Sequence, residues 1–207
     1  LDLRDLGVAV TRLRRLLDLD ADVAAAEDAL RADPRLHRVV DAAAGIRVPG
    51  SVDGGETLIR TMIGQQISVA AARHHTGALV AALGERCDWP STDAGTTTVE
   101  PTIGWHTFPT AAAIAAHGHD VLRGPATRID AICAAAAELS ENSMELHAGV
   151  AASDMHERLM TLRGVGRWTA DYVTMRTTGD PDTFRRLARR FLGPEVDHVF
   201  GNMGGAA

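Results

Sequence analysis

Cysteine is scarce in this chain, and that scarcity excludes several kinds of site. Two cysteines, Cys87 and Cys133, are too few for a disulfide scaffold, a four-cysteine iron–sulfur cluster or a zinc ribbon. We expect both thiols to be reduced, buried and structural. The nine histidines show no metal-ligand spacing. We therefore predict no metal and no other cofactor.

The chain also lacks long apolar runs and an excess of basic residues. No run approaches the about 20 apolar residues of a membrane span, and no signal peptide is visible, so we expect a cytoplasmic protein without a membrane partner. The formal net charge of −6 argues against a surface coated with basic groups. It does not exclude nucleic acid, because a local positive stripe and helix N-termini bind phosphates on an acidic background.

Clusters of β-branched residues are few, whereas alanine-rich runs at 111–116 and 134–137 favour helix. The sequence therefore predicts an all-α fold. The predicted helical segments are 8–19, two short helices within 22–44 broken at Asp33-Pro34, 57–83 with a break near Gly64 or Gly77, 110–116, 127–139, a helix capped by Ser153 that ends at Leu162, and 167–177. Residues 88–109 are predicted as a long loop or a crossover connection, Gly118 and Gly124-Pro125 as separators, and Asp180-Pro181-Asp182 as a turn.

The most informative segment is a glycine turn between two predicted helices. Gly164 and Gly166 flank Val165, and glycine adopts backbone angles that are closed to other residues. Amides at the start of the following helix would then face an anion such as a DNA phosphate. A plain helix–turn–helix corner remains an equal alternative, because Gly-x-Gly alone is a weak signal.

Two aromatic residues follow this turn at helical spacing. Trp168 and Tyr172 lie four residues apart and so project from one helix face. Together they would form a stacking wall for a base. The alternative is that both rings fill the core, as aromatic rings more often do.

The pattern Leu-x-Gly-Val-Gly-x-Trp-Thr-Ala-Asp-Tyr resembles the hairpin of the helix-hairpin-helix DNA glycosylase superfamily. Within that superfamily the chain resembles the bacterial inducible, type II 3-methyladenine DNA glycosylases. The segments that carry the resemblance, in the family's order, are 14–19, 46–53, 63–70, 108–110 and 162–172.

The resemblance implies a core of two helical subdomains over residues 1–184, with the hairpin at 154–177 and without the β-rich N-terminal domain that family members commonly carry. Part of the apolar core should then lie open. The first residue, Leu1, is consistent with a fragment. The implied activity is hydrolysis of the N-glycosidic bond of alkylated bases in double-stranded DNA, by a monomer, at the start of base excision repair.

The resemblance also assigns site residues. Trp168 and Tyr172 would form the base pocket, and Gln66 would take the wedge position that fills the gap left by a flipped base. For Gln66, a role as a hydrogen-bonding residue at a helix end is an equal alternative. The residues that the resemblance places on DNA are Gln65, Gln66, Ser68, Gly164, Val165, Gly166 and Thr169.

The chain departs from the family after Phe184. Ala188 stands where the family has its catalytic Asp, and no carboxylate lies between Phe184 and Glu195. Asp182 is our candidate for the catalytic role, ahead of Asp197. The alternative function is an inactive helix-hairpin-helix DNA-binding module, and a weaker third reading is a helical scaffold in which the glycine turn is only a corner.

We interpret the atypical tail, residues 185–207, in two ways. A truncated or frame-shifted gene is one hypothesis, and translation of the other two frames of the encoding DNA tests it. The rival hypothesis is that this tail genuinely replaces the family's closing helices and that its arginines bind phosphates, although such a charge run is more often a solvated helix face. These arginines are Arg185, Arg186, Arg189 and Arg190.

Overall fold

A computed structural model describes residues 3–87, 105–141 and 143–192. The described residues are mainly helical and contain one two-stranded sheet. The chain divides into two compact units. Unit 1 comprises Leu1–Thr57, Leu146–Met160 and Gly166–Ala207, and unit 2 comprises Leu58–Glu145 and Thr161–Val165. Within the described ranges, every helix is too short or too polar to cross a membrane.

Unit 1 begins with short helices that match the predicted segments. The Asp22 carboxylate accepts from the Ala25 amide at 3.0 Å and caps the helix that begins at Val23. The predicted break at Asp33-Pro34 is confirmed. Arg35 donates to the Asp33 carboxylate there and lowers the pKa of Asp33 to about 2. The elements are a 3-10 helix at Leu3–Asp5, α1 at Leu6–Leu16, α2 at Val23–Arg31 and α3 at His37–Ala42.

Large apolar side chains on residues 3–52 are extensively exposed. Leu3 is 84% exposed, Val39 64% and Ile46 68%. Helices α1, α2 and α3 contain no buried residue. The other exposed members of this surface are Leu6, Val8, Val10, Leu13, Leu17, Leu19, Val48 and Val52.

Helix α4 spans Gly54–Gly64 and α5 spans Val69–Leu83, so the predicted long helix breaks at Gly64 and not at Gly77. Ser68 explains the restart, because its hydroxyl accepts from the Ala71 amide at 3.2 Å and caps α5. Helix α5 ends before Gly84, as predicted. The sharp turn between α4 and α5 carries Gln65 and Gln66.

The prediction of a long loop or a crossover connection over 88–109 missed a short strand in its last part. Strand β1 at Arg86–Cys87 pairs antiparallel with β2 at Trp105–His106. Residues 88–104 of this loop lie outside the described residues. Cys87 is only half-buried, which corrects the expectation that both thiols are buried.

Helix α6 spans Ala111–Val121 and α7 spans Ala126–Ser140, and the two pack against each other. The prediction that Gly118 separates two helices was wrong, because α6 runs through it. A Cβ at Gly118 would lie 2.7 Å from the Sγ of Cys133 on α7. Gly118 therefore allows close helix packing, and burial raises the pKa of the Cys133 thiol.

Unit 1 resumes with α8 at Ala152–Thr161, α9 at Arg167–Thr178 and α10 at Pro181–Leu192. The predicted start of α9 is confirmed. Ser153 lies inside α8 and donates to the Asp154 carboxylate, so its prediction as the N-cap was wrong. The predicted boundary between residues 184 and 185 falls within α10 and stays a prediction.

Both units contain fully buried apolar side chains. Leu58, Met62, Leu79 and Ile132 are at most 2% exposed in unit 2, and Met155, Leu159 and Val173 are fully buried in unit 1. In unit 1 this core includes the faces of α8 and α9 that flank the glycine turn, so the core fixes the direction of both helices.

We predict that Gly118→Ala destabilises the protein by about 1–2 kcal/mol, since overpacking against Cys133 outweighs the about 1 kcal/mol gained in helix propensity. Gly77→Ala is the matched control, because nothing lies within 4 Å of its added Cβ in α5. It should leave stability unchanged or raise it. Urea unfolding measures both. Adding Cys133→Ala should restore part of the loss, and a Gly118→Ala protein as stable as the wild type would contradict this packing.

Candidate functional site

The glycine turn joins α8 to α9, and Gly164 is the residue that its conformation requires. Gly164 has φ +80°, in the left-handed region that favours glycine. An added Cβ would also lie 3.0 Å from the Cβ of Ala131 on α7. The Val165 amide donates to the Leu162 carbonyl at 3.1 Å and closes the turn. That amide is therefore already occupied inside the turn.

Gly166 differs from Gly164, which corrects the expectation that both need angles closed to other residues. Its φ of −93° and ψ of 172° are extended backbone that any residue adopts. Nothing lies within 4 Å of an added Cβ. Gly166 is the N-cap of α9, so no cap side chain lies between the start of this helix and an approaching ligand.

The aromatic residues of α9 lie on one face, as predicted. The Trp168 and Tyr172 rings stack with centroids 5.3 Å apart and planes 10° apart. The Arg176 guanidinium lies 5.7 Å from the Tyr172 ring centroid, one further turn along. Arg176 also donates to the Gly50 carbonyl at 3.3 Å. Tyr172 is thus the middle member of a column, and Trp168, 36% exposed, is its outer end.

The opposite face of α9 is buried. Thr169 is 3% exposed and Asp171 is 4% exposed. The Thr169 side chain is therefore out of reach of a surface ligand, and its predicted contact with DNA stays a prediction.

Asp171 is the central residue of a charged cluster that the sequence reasoning missed. Its Oδ1 lies 3.2 Å from Nε2 of His156 on α8 and 3.5 Å from Nε of Arg186 on α10. Arg186 also donates to the Thr183 hydroxyl at 2.7 Å. The signal was an acidic residue within a helix between Ala170 and Val173, because a buried charge needs partners from other elements.

The Asp-Pro-Asp segment is a helix start, and its prediction as a plain turn was wrong. Asp180 Oδ2 accepts from the Thr183 amide at 2.8 Å and from the Thr183 hydroxyl at 2.5 Å. Pro181 then occupies the first helical position, which its fixed φ suits. Asp180 is therefore the cap of α10.

Asp182, the candidate catalytic residue, is exposed in the first turn of α10. Among the described residues, none forms a hydrogen bond or ion pair with its carboxylate. Ala188 lies half-buried further along α10, next to the buried Leu187. Asp197 and the side chain of Arg185 lie outside the described residues.

Unit 2 holds the remaining predicted residues in one cluster. Gln66 is exposed, and Gln65 donates from Nε2 to the Gly164 carbonyl at 3.0 Å. The Gln65 carbonyl accepts from Arg128 at 2.8 Å. The structure thus brings the glutamine turn and the glycine turn together, while Ser68 serves as the cap of α5. In the described residues, no group of three or more His, Cys, Asp and Glu side chains could hold a metal ion.

The fold is similar to that of solved DNA glycosylases. The structure aligns with a 3-methyladenine DNA glycosylase from Archaeoglobus fulgidus at a TM-score of 0.71. The alignment covers 98% of this chain and 69% of that one at 22% sequence identity. At this identity the likeness establishes the architecture alone.

Sequence comparison narrows the resemblance to the AlkA group. Residues 1–53 match the family model described as the AlkA N-terminal domain. The chain is 42% identical over 199 residues to a probable bifunctional transcriptional activator/DNA repair enzyme AlkA of Mycobacterium tuberculosis, covering 93% of this chain and 38% of that protein. It is 28% identical over 179 residues to DNA-3-methyladenine glycosylase 2 of Escherichia coli, covering 84% of this chain and 57% of that protein. The chain thus spans well under two thirds of these relatives, and its resemblance to the 3-methyladenine glycosylases is confirmed.

We predict that Asp180→Ala destabilises the protein by about 1 kcal/mol, because α10 loses its N-cap. Asp182→Ala, two residues later and exposed, is the matched control and should change stability by less than about 0.5 kcal/mol. Urea unfolding followed by circular dichroism measures both. Equal losses from the two variants would contradict the capping role.

Proposed function

We propose that this chain is the glycosylase part of a DNA repair protein, which acts as a monomer on double-stranded DNA and hydrolyses the N-glycosidic bond of alkylated bases such as 3-methyladenine. The observation that carries the proposal is on α9. An uncapped, sterically open N-terminus at Gly166 lies two residues from the exposed ring of Trp168. A phosphate-binding group and a base-stacking group are thus fixed on one rigid element.

The open N-terminus of α9 suits a phosphate. The helix dipole favours an anion there, and the absence of a Cβ at Gly166 lets a phosphodiester approach the backbone. Arg163 and Arg167 flank the turn, and both are exposed. Such contacts position a duplex without reading its sequence, which suits an enzyme that must examine any DNA.

The outer end of the aromatic column suits a flipped base. Extrusion of a nucleotide from a duplex costs a few kcal/mol, and the cost is lower for a damaged base. Stacking of a cationic alkylated purine on Trp168 would offset about 1–2 kcal/mol of this cost. Tyr172 already contacts Trp168 and Arg176, so we assign the direct contact to Trp168 and a supporting role to Tyr172.

The chemistry needs a carboxylate near the sugar. The C1′–N bond breaks, the base leaves with the bonding electrons, and water adds to C1′ with loss of a proton. A carboxylate stabilises the oxocarbenium-like transition state and orients this water. A cationic base needs little acid assistance to leave. Asp171 is paired with His156 and Arg186, and Asp180 caps α10, so we assign this role to the exposed Asp182.

We predict release of 3-methyladenine from methylated duplex DNA above the spontaneous rate, and a loss of about 100-fold in Asp182→Asn without a change in stability. Single-turnover release measured by chromatography tests this. Asp154→Asn, an exposed acidic change in the first turn of α8, is the control.

Two outcomes would contradict the assignment. Full activity in Asp182→Asn removes Asp182 from the reaction. No release by the wild-type protein, with DNA binding intact, leaves only a binding module. In that case Ala188→Asp, which returns a carboxylate to the family's position, asks whether the acid alone is missing.

We predict that Gly166→Ala weakens binding to undamaged duplex DNA by about 10-fold while stability stays within about 0.5 kcal/mol of wild type, because only the approaching phosphate meets the new methyl group. Fluorescence anisotropy measures the affinity. Gly77→Ala, with equally open space, is the control. Unchanged affinity in Gly166→Ala would place the phosphate elsewhere.

A further inference from the structure

The turn between α4 and α5 holds a non-glycine residue in the left-handed region. Gln66 has φ +58° and its side chain is exposed. A left-handed conformation is unfavourable for an L-residue and persists only where the surroundings hold it. The hydrogen bonds around Gln66 show what holds it.

The peptide that precedes Gln66 is fixed from two directions within unit 2. Arg128 Nη1 on α7 donates to the Gln65 carbonyl oxygen at 2.8 Å, across 63 positions of sequence. The Gln65 side chain donates from Nε2 to the Gly164 carbonyl oxygen at 3.0 Å, across 99 positions. Arg128 and Gln65 therefore tie the glutamine turn to α7 and to the glycine turn.

The Arg128 guanidinium is itself seated against the chain. A Cβ at Gly124 would lie 2.6 Å from Arg128 Nη2, so the bare backbone of Gly124 leaves the space that the guanidinium fills. Arg128 is half-buried and lines a small pocket with Ile63, Leu122 and Ile132. A guanidinium packed in this way is preorganised to donate to one carbonyl.

We infer that Arg128 and Gln65 are positioning residues for base extrusion: they hold Gln66 in the left-handed turn, so that its carboxamide points out ready to fill the gap in the DNA stack. This inference rests on the proposed function. Arg128 acts through the Gln65 carbonyl and does not contact DNA. Its removal should therefore weaken recognition of a gap in the stack and leave general phosphate binding intact.

The first measurement uses the free protein and is independent of DNA. Amide hydrogen exchange of residues 65–68 should become at least 10-fold faster in Arg128→Ala. Arg123→Ala is the matched control, because Arg123 is a nearby exposed arginine that donates to the Asp120 and Leu122 carbonyls. Arg128→Lys should restore much of the protection, since Nζ is also able to donate to the Gln65 carbonyl. Unchanged exchange in Arg128→Ala would overturn the inference.

The second measurement compares duplexes with and without a stable abasic analogue, which supplies the gap that Gln66 would fill. Wild type should prefer the abasic duplex, and Arg128→Ala should lose about 10-fold of that preference while its affinity for intact duplex and its salt dependence stay the same. Combination with Gln66→Ala should add nothing to Gln66→Ala alone, because the two residues act in series.

The remaining outcomes separate the two proposals. Binding of neither duplex by the wild type contradicts the proposed function, and the hydrogen-exchange result still decides the role of Arg128 in the turn. A preference that survives in Arg128→Ala overturns the positioning role alone. A third outcome is that the slope of log affinity against log salt concentration falls by about one in Arg128→Ala, with additive effects in the double variant. Arg128 would then be a direct phosphate contact, and the positioning role would also be overturned.

Discussion

The left-handed conformation of Gly164 is the constraint on which the candidate site depends. Its φ of +80° and the 3.0 Å approach to Ala131 admit no side chain. Its carbonyl accepts from Gln65, so the same residue that reverses the chain between α8 and α9 also anchors the glutamine turn. This hydrogen bond joins the glutamine turn to the glycine turn, about 100 positions apart in sequence. The chain then enters α9 with its first amides uncapped and its aromatic column beginning at Trp168.

Local sequence signals predicted the elements well where they act within one helix. The four-residue spacing of Trp168 and Tyr172 was sufficient to place both rings on one face, and the Asp33-Pro34 break followed from backbone chemistry. Glycine was the less reliable signal. Gly118 lies inside α6 because Cys133 packs against it, and Gly166 has ordinary extended angles. Whether a glycine serves a turn, a close contact or an open surface depends on residues far away in sequence, and no local pattern carries that information.

Charge pairing was equally hidden from the sequence. Asp171, His156 and Arg186 belong to three different helices, and only the packing of α8, α9 and α10 in unit 1 brings them together. Arg186 lies in the segment that departs from the family, yet it contributes to this cluster, and Leu187 beside it is buried. The described part of the tail is thus integrated into the unit through one charge and one apolar side chain. This ion pair counts against the alternative in which the tail arginines bind phosphates, because Arg186 is engaged inside the unit.

The distribution of carboxylates on α9 and α10 then limits where chemistry is possible. Asp171 is buried beside His156 and Arg186, and the Arg186 guanidinium 3.5 Å away offsets its negative charge. Asp180 accepts two hydrogen bonds from Thr183, and its loss would unwind the helix start before it affected any substrate. Of these three residues, Asp182 combines an exposed carboxylate with a rigid position in the first helical turn. A cationic leaving base lowers the demand on that group to electrostatic stabilisation of the sugar, which a single exposed carboxylate is able to supply. Ala188 at the family's acid position therefore weakens the proposed chemistry, and the proposed substrate, a cationic base, is one that needs little help from an acid.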